Sequence, residues 1–421
     1  MAKEFDEITL KSMITHGYSL EDRTLFVSAK KLRPGNLLIL DIEQPMVLQF
    51  ENYYWLDNKE NHSITFEEAT DELNRLFDQA VNRAFSKDEE YGYEHLVALS
   101  GGLDSRMVNY AANKLGYSKN ITNITFSQTG ALDHLNPQKI SSELSHRWLF
   151  KSFDDARFMT EYSKTIDYII PMNILGYLHA NSMMKLLNKN SFGILHTGIL
   201  GDIVVGTYSS EDFHREWRIL DGAKSSIKVR LLTEIDINFN YQNEEIFKFY
   251  NSGLNGVRAF EEVLQSEIEQ YSPFLDIDFL NYSIKLPLSF RRHHRLYFNW
   301  INSYYPSAAK FKWTRDLSNI NSLHLKIFGR NIPISQLPKR IVNKIKQNLG
   351  FTIESKSGMN PLDLYSKIPY IKDFLANEII SLSIIATLLN GVNYNDIITY
   401  DKFNLITLQS LIKNSNDFEI E

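Results

Sequence analysis

Between Leu96 and Thr197 the chain switches back and forth between two periodicities. Short apolar runs at Leu96 to Leu99, Ile121 to Ser127, Trp148 to Phe153 and Gly193 to Thr197 have the length of strands, while the intervening stretches carry helical patterning: Arg106 to Leu115, Pro137 to Ser145, Phe158 to Ile169 and His179 to Leu187. Strand and helix in alternation force right-handed βαβ units, so the expected fold is α/β, a parallel sheet flanked by helices. Ligands of such sheets bind outside the carboxyl ends of the strands. Chemistry is therefore expected in the turns after Leu99, Phe126 and His196.

The flanks read differently. Thr65 with Glu68 forms a capping box, and Phe66, Ala69, Leu73, Phe77, Ala80 and Ala84 form one stripe, which predicts a helix over 65–85. Upstream, residues 24–41 read as two short strands joined at Arg33-Pro34-Gly35, with a third extended piece from Val47 to Trp55. Residues 1–60 are thus expected to form a small β-rich segment and 61–330 the α/β domain. The chain reads as mainly helical from Ser226 on, and 331–421, with Pro333, Pro338, Pro361 and Pro369, as a helical extension.

Charge and composition remove whole classes of function. The 45 Lys and Arg against 51 Asp and Glu give a net charge of -6, which argues against a nucleic-acid partner. The 421 residues contain no cysteine, so thiol nucleophiles, disulfides and thiolate metal sites are excluded. The start, MAKEFDEITL, lacks the apolar core of a secretory signal, and the best membrane candidate, Ile379 to Leu389, is shorter than the roughly 20 apolar residues a span requires. No membrane span and a cytoplasmic location are expected.

The turn after Leu99 reads Ser100-Gly101-Gly102-Leu103-Asp104-Ser105. Two glycines let the backbone approach a phosphate closely, and the following helix offers unpaired N–H groups and the positive end of its dipole. Ser100 and Ser105 supply hydroxyl donors, and Asp104 is placed to hold a cation. A tight turn with a serine cap uses the same residues for structure alone, but the strand–turn–helix context points to phosphate binding. The lysine-bearing GxxxxGK(S/T) loop is absent, so the cradle is of another type.

S-G-G-x-D-S resembles the pyrophosphate loop of the ATP pyrophosphatase superfamily. Four further stretches are similar to the asparagine synthetase-like branch in order and rough spacing: Thr125-Phe126-Ser127; His196 to Tyr208, against T-G-E-G-(S/A)-D-E-L-F-G-G-Y; Pro273-Phe274-Leu275-Asp276; and Arg23 to Phe26 with Leu32 to Gly35. The likeness spans about residues 20–315. It implies an ATP-dependent carbon–nitrogen ligase that adenylates a small-molecule carboxylate, releases pyrophosphate and passes the acyl group to an amine or ammonia. By the same likeness Ser100, Gly101, Gly102 and Ser105 bind pyrophosphate, and Asp104 and Asp202 share Mg²⁺. Leu99, Phe126, Ser127 and Gly198 surround the nucleoside of ATP.

The pattern also departs from that family. The glutamate after T-G is Ile199 and the second acidic position is Ile203, neither of which accepts a proton. Arg295, in Arg291-Arg292-His293-His294-Arg295, is the nearest match to the lysine that steadies pyrophosphate, with Lys310 and Lys312 as alternatives. The glutaminase half is expected to be missing, its cysteine with it, so nitrogen would come as ammonia, from a separate glutaminase, or as a substrate amine. His146, His179 and His196 lack metal-ligand spacing and are expected to be structural.

Overall fold

The structure, a computed structural model, describes residues 4–43, 48–159, 178–225, 237–258, 267–315, 317–327, 330–334, 365–377 and 399–417, with isolated positions between them. Two N-caps organise the first part of the chain. Asp6 accepts from the Thr9 N–H at 2.8 Å and starts α1 (Glu7–Thr15), a helix inside the block read as β-rich. The Thr65 capping box is formed in both directions and starts α2 (Phe66–Glu90), which buries Ala69, Leu73, Phe77, Ala80 and Ala84 along one stripe.

The turn expected at Arg33-Pro34-Gly35 is present: the Asn36 N–H donates to the Arg33 carbonyl at 3.1 Å, and Gly35 has φ 77°. It leads into a hairpin rather than joining its strands. β1 (Asn36–Leu40) pairs antiparallel with β2 (Leu48–Asn52), and 24–32 forms no strand beyond single bridges. The reason is local: the Thr24 hydroxyl donates to the carbonyls of Ala29 (2.9 Å) and Phe26 (3.1 Å), closing a turn that competes with a ladder.

The central sheet is parallel, in the order β5-β4-β3-β6-β7. Its strands are β3 (Glu94–Ala98), β4 (Ile121–Ser127), β5 (Arg147–Ser152), β6 (Phe192–His196) and the short β7 (Gln270–Tyr271). Helices α3 (Asp104–Lys114), α4 (Leu132–Glu143) and α5 (Leu178–Met184) connect them. Alternate residues face opposite layers. Val97 packs with Leu73, Phe77 and Met107 in the larger core, while Leu96, Ile124 and Leu195 meet Ala180, Met183 and Met184 of α5. Most of the helix expected over 158–169 lies outside the described residues. The chain builds outward from β3 to β4 and β5 and then returns to the other side of β3 for β6, so the strand order reverses between β3 and β6.

Beyond 226 the described residues are mainly helical, as expected, with three short strands that the sequence did not mark. α6 (Glu244–Lys248), α7 (Ile277–Ile284), α8 (Arg295–Tyr304), α9 (Pro369–Asn377) and α10 (Thr399–Asp417) are helices, yet this region also supplies β7 and an antiparallel pair, β8 (His324–Ile327) and β9 (Arg330–Pro333). Strands of two and four residues are too short to leave a period-2 signature. α10 returns to α1, where the Tyr400 hydroxyl donates to the His16 carbonyl at 3.2 Å. No described helix is long and apolar enough to cross a membrane. Most of Ile379 to Leu389 lies outside the described residues.

Under the sheet's switch point sits a buried polar triad. One Asp88 carboxylate oxygen accepts from His95 Nδ1 at 2.9 Å and from His196 Nε2 at 2.7 Å, tying the end of α2 to β3 and β6. Phe85 stacks on His196 at 3.8 Å. Burial acts to raise the Asp88 carboxyl, but its two imidazole hydrogen bonds outweigh that and hold it below its usual range. Burial presses His196 down and keeps it neutral. Replacing Asp88 by Ala strands two buried N–H donors and is expected to lower unfolding free energy by about 3 kcal/mol in urea melts at pH 7.

His16 is fully buried, and burial pushes it down to about 4 against the Ile219 carbonyl 2.9 Å from its Nε2. The unfolded chain binds a proton there below pH ~6.5 and the folded one does not, so this residue's contribution falls as pH drops from 6.5 toward 4. Urea melts at pH 7 and 4.5 should show His16→Gln flattening the acid loss by on the order of 2–3 kcal/mol.

Candidate functional site

The crevice where the strand order reverses is lined by the turn after β3 and the loop after β6. The first is tightly self-bonded. Ser105 Oγ accepts from the Ser100 N–H at 3.0 Å, Ser100 Oγ accepts from the Gly102 N–H at 3.2 Å, and the two hydroxyls lie 3.1 Å apart. The Gly101 N–H donates to the Asp133 carboxylate of α4 at 2.7 Å. α3 begins without a side-chain cap, so no capping side chain claims its first N–H groups or the positive end of its dipole. A Cβ on Gly101 would lie 2.4 Å from the Thr314 methyl and 2.9 Å from the Leu132 carbonyl, which only glycine avoids.

The second loop rests directly on the first turn of α3. A Cβ on Gly198 would stand 2.4 Å from the Ser105 nitrogen and 2.5 Å from the Asp104 carbonyl carbon. Gly201 is as tight, with the Asp104 carboxyl carbon 2.7 Å from where its Cβ would be. Leu200 between them takes the left-handed φ of 64°, a strain of the kind found at functional loops. Asp202 then opens a π-helical turn, Asp202–Gly206. The buried Arg291 guanidinium holds its far end, donating to the Gly206 carbonyl at 2.7 Å and pairing with Glu245.

These contacts bring Asp104 and Asp202 together. Burial first, and the Asp202 carboxylate second, push the Asp104 carboxyl well above its usual range, against the Tyr297 hydroxyl that donates to it at 2.6 Å. Burial likewise raises Asp202, while Arg315 pulls it down. Two half-buried carboxylates sharing one crevice repel each other, and a hard dication between them relieves that repulsion. The donor set suits Mg²⁺, which takes a few carboxylates and completes its shell with phosphate oxygens and water.

Comparison with known proteins gives fold likeness alone. No family model and no curated protein sequence matches the chain. Several solved structures resemble it. Three of them are the U34-tRNA thiolase NcsA of Methanococcus maripaludis with its 4Fe–4S cluster (11% identity over 78% of this chain and 91% of that one, TM-score 0.32); the NH3-dependent NAD synthetase of Campylobacter jejuni subsp. jejuni with nitrate (14%, 54% and 96%, TM-score 0.25); and the NMN synthetase of Francisella tularensis (13%, 58% and 97%, TM-score 0.25). Overlap this slight says nothing of substrate, and the chemistry must be read from the site's own residues.

The expected nucleoside residues lie along one edge, at the ends of three adjacent strands. The Leu99 carbonyl accepts from the Thr125 hydroxyl at 2.8 Å, Ser127 is fully buried with its hydroxyl donating to the Gln128 carbonyl, and Phe126 packs between the two cores. Gly198 follows β6. Arg295 does not join them. Its guanidinium donates to the Ser289 carbonyl at 2.8 Å and lies over Phe66 at 5.6 Å. Lys310 Nζ turns to the Ser307 hydroxyl. Among the described residues, the cation that acts on Asp202 from the cavity wall is Arg315, next to the Thr314 that packs on Gly101. No motif marks it, because its position depends on a strap folded back from far along the chain.

Asp276 of the Pro273–Asp276 stretch is structural: it caps α7 at the Asp278 N–H (3.2 Å) and pairs with Arg83 at 2.7 Å. His146, pushed down to about 4 by burial, sits beside the Asn123 amide, and His196 belongs to the triad. The side chain of His179 lies outside the described residues.

One buried arginine fixes the strap. Arg106 reaches four carbonyls, those of Ala308 (2.8 Å), Phe311, Lys312 and Gly101 (3.1 Å each). Arg106→Lys keeps the charge but not the fork. It should cost about 2–3 kcal/mol in urea melts, leaving carbonyls unpaired and releasing the strap from the Ser100–Ser105 turn.

Proposed function

We propose that this chain is an ATP-dependent carbon–nitrogen ligase of asparagine synthetase-like type, forming AMP and pyrophosphate. The observation that carries the reading is the meeting of Asp104 and Asp202 across a crevice whose other wall is the Ser100–Ser105 turn on an uncapped helix start. The pyrophosphate portion of ATP lies on the α3 N–H groups and the two serine hydroxyls, with its nucleoside along Leu99, Phe126, Ser127 and Gly198. Asp104 and Asp202 hold Mg²⁺, which supplies neutralisation of phosphate charge. Arg315 steadies the leaving pyrophosphate in the role the sequence reading gave to Arg295.

The substrate carboxylate attacks the α-phosphorus, pyrophosphate leaves, and an amine or ammonia opens the acyl-adenylate. The protein's part is alignment and charge stabilisation. The acceptor is accommodated in the cavity of about 680 Å³ beyond Asp202, whose wall includes Ile203, Tyr208, Ser210 and Phe298. Ile203 in that wall favours an acceptor other than that of plain asparagine formation, such as a sugar acid amidated in surface polysaccharide synthesis or a cyclising amino acid. Nitrogen arrives as ammonia, from a separate glutaminase, or on the substrate itself.

ATP–pyrophosphate exchange across aspartate, β-amino acids and uronic acids, with and without ammonia, tests this reading. Exchange should appear with one class, yield AMP and never ADP, and fall by at least about 100-fold in Asp104→Asn and Asp202→Asn. Formation of ADP, or no exchange with any carboxylate, would sink the proposal and leave a nucleotide-binding protein without this catalysis.

A further inference from the structure

The cavity beside Asp202 contains a histidine whose proton is fixed by its neighbour. His293 and His294 take consecutive left-handed conformations, φ 53° and 57°, each costing a non-glycine residue roughly 1 kcal/mol. Packing sustains the turn: the His294 ring stands edge-on to Trp313 at 5.2 Å and lies 5.7 Å from Phe298. Arg315 Nη1 is 2.9 Å from His294 Nε2. A guanidinium can only donate, so Nε2 carries the lone pair and the proton sits on Nδ1. That nitrogen is buried against Gly206 without a protein partner. The charged and titratable groups around the ring are Asp202 and Tyr208 after β6, Lys248 of α6, Arg291, Arg292 and His293 of the same turn, Tyr297 in α8, and Arg315. Burial, then Arg315, then His293 press His294 down to about 4.

Arg315 itself is poised between two partners. Its neighbour Thr314 sits on Gly101, its own guanidinium lies over the Trp313 ring at 5.4 Å, and it acts on Asp202. A hydrogen bond from an exposed arginine to a neutral imidazole is worth about 1 kcal/mol. A bidentate, charge-assisted contact with phosphate is stronger. Ile203, in the same cavity wall, offers no proton acceptor.

We propose that Arg315 and His294 form a nucleotide-operated pair: phosphates at the Ser100–Ser105 turn draw the guanidinium away, and the freed His294 Nε2 takes the proton of the attacking amine. This rests on the ligase reading above. The amine nitrogen forms the new C–N bond, the C–O bond to AMP breaks with its electron pair leaving on the phosphate, and the amine proton passes to Nε2 and then to water at the open mouth. His294 is thereby a base only while phosphates occupy Arg315, which ties acceptor activation to the loaded enzyme.

Histidine side-chain ¹⁵N NMR on the full chain tests this, with His294 assigned by His294→Gln and with magnesium pyrophosphate as the probe. Pyrophosphate should raise the His294 pKa by at least about one unit, and Arg315→Gln without pyrophosphate should do the same. Binding of pyrophosphate with no response at His294 overturns the pair but not the phosphate reading, whereas failure to bind pyrophosphate overturns both. On a carboxylate that supports exchange, His294→Gln should lower amide formation at least about 100-fold more than exchange. Equal loss of the two overturns its role as base.

Discussion

Everything at the site depends on one close approach, that of the loop after β6 to the first turn of α3. The parallel sheet brings the two strand ends side by side, but only the absence of side chains at Gly198 and Gly201 lets the second loop settle onto Asp104 and Ser105. Without that contact Asp104 and Asp202 would each face water and keep ordinary acidity. With it they share a desolvated crevice, and burial pushes both carboxyls up.

A second layer of support lies behind the first. Arg106 fastens the 308–312 strap to the turn after β3, and the strap in turn carries Thr314 onto Gly101 and Arg315 to the crevice mouth. The Asp88 triad does the equivalent under β3 and β6, fixing with two hydrogen bonds the strands from which both loops leave. Buried polar groups hydrogen-bonded in this way hold their elements to one arrangement.

The parts legible in the sequence are those whose information is local. Ile121 to Ser127 is a strand at the expected bounds, the Thr65 capping box starts its helix, and the Ser100–Ser105 turn falls between strand and helix as its residues require. α1 was hidden because its signal, Asp6 as cap, precedes a helix with little amphipathic contrast. The strand expected before Pro34 failed because the Thr24 hydroxyl closes a turn there. Arg315 and His294 were illegible for a different reason: their meeting is set by the Arg106 staple and by a left-handed turn, neither of which leaves a period or a motif. Arg295 carried the expected charge, but it opens α8 with its guanidinium held by the Ser289 carbonyl and over Phe66.

The two walls of the site have different origins. The Ser100–Ser105 side is built from the ends of sheet strands, where a change of register would move every core residue of a strand to the opposite face. The cavity side comes from the Asp202–Gly206 turn, the 207–210 loop, the 291–294 turn and the strap, none of which belongs to the sheet. Substitutions at Ile203, Tyr208 or Phe298 can therefore reshape the cavity without disturbing the Ser100–Ser105 turn. On the ligase reading proposed above, a lineage built on this scaffold is free to explore new amide products while the half that activates them stays fixed.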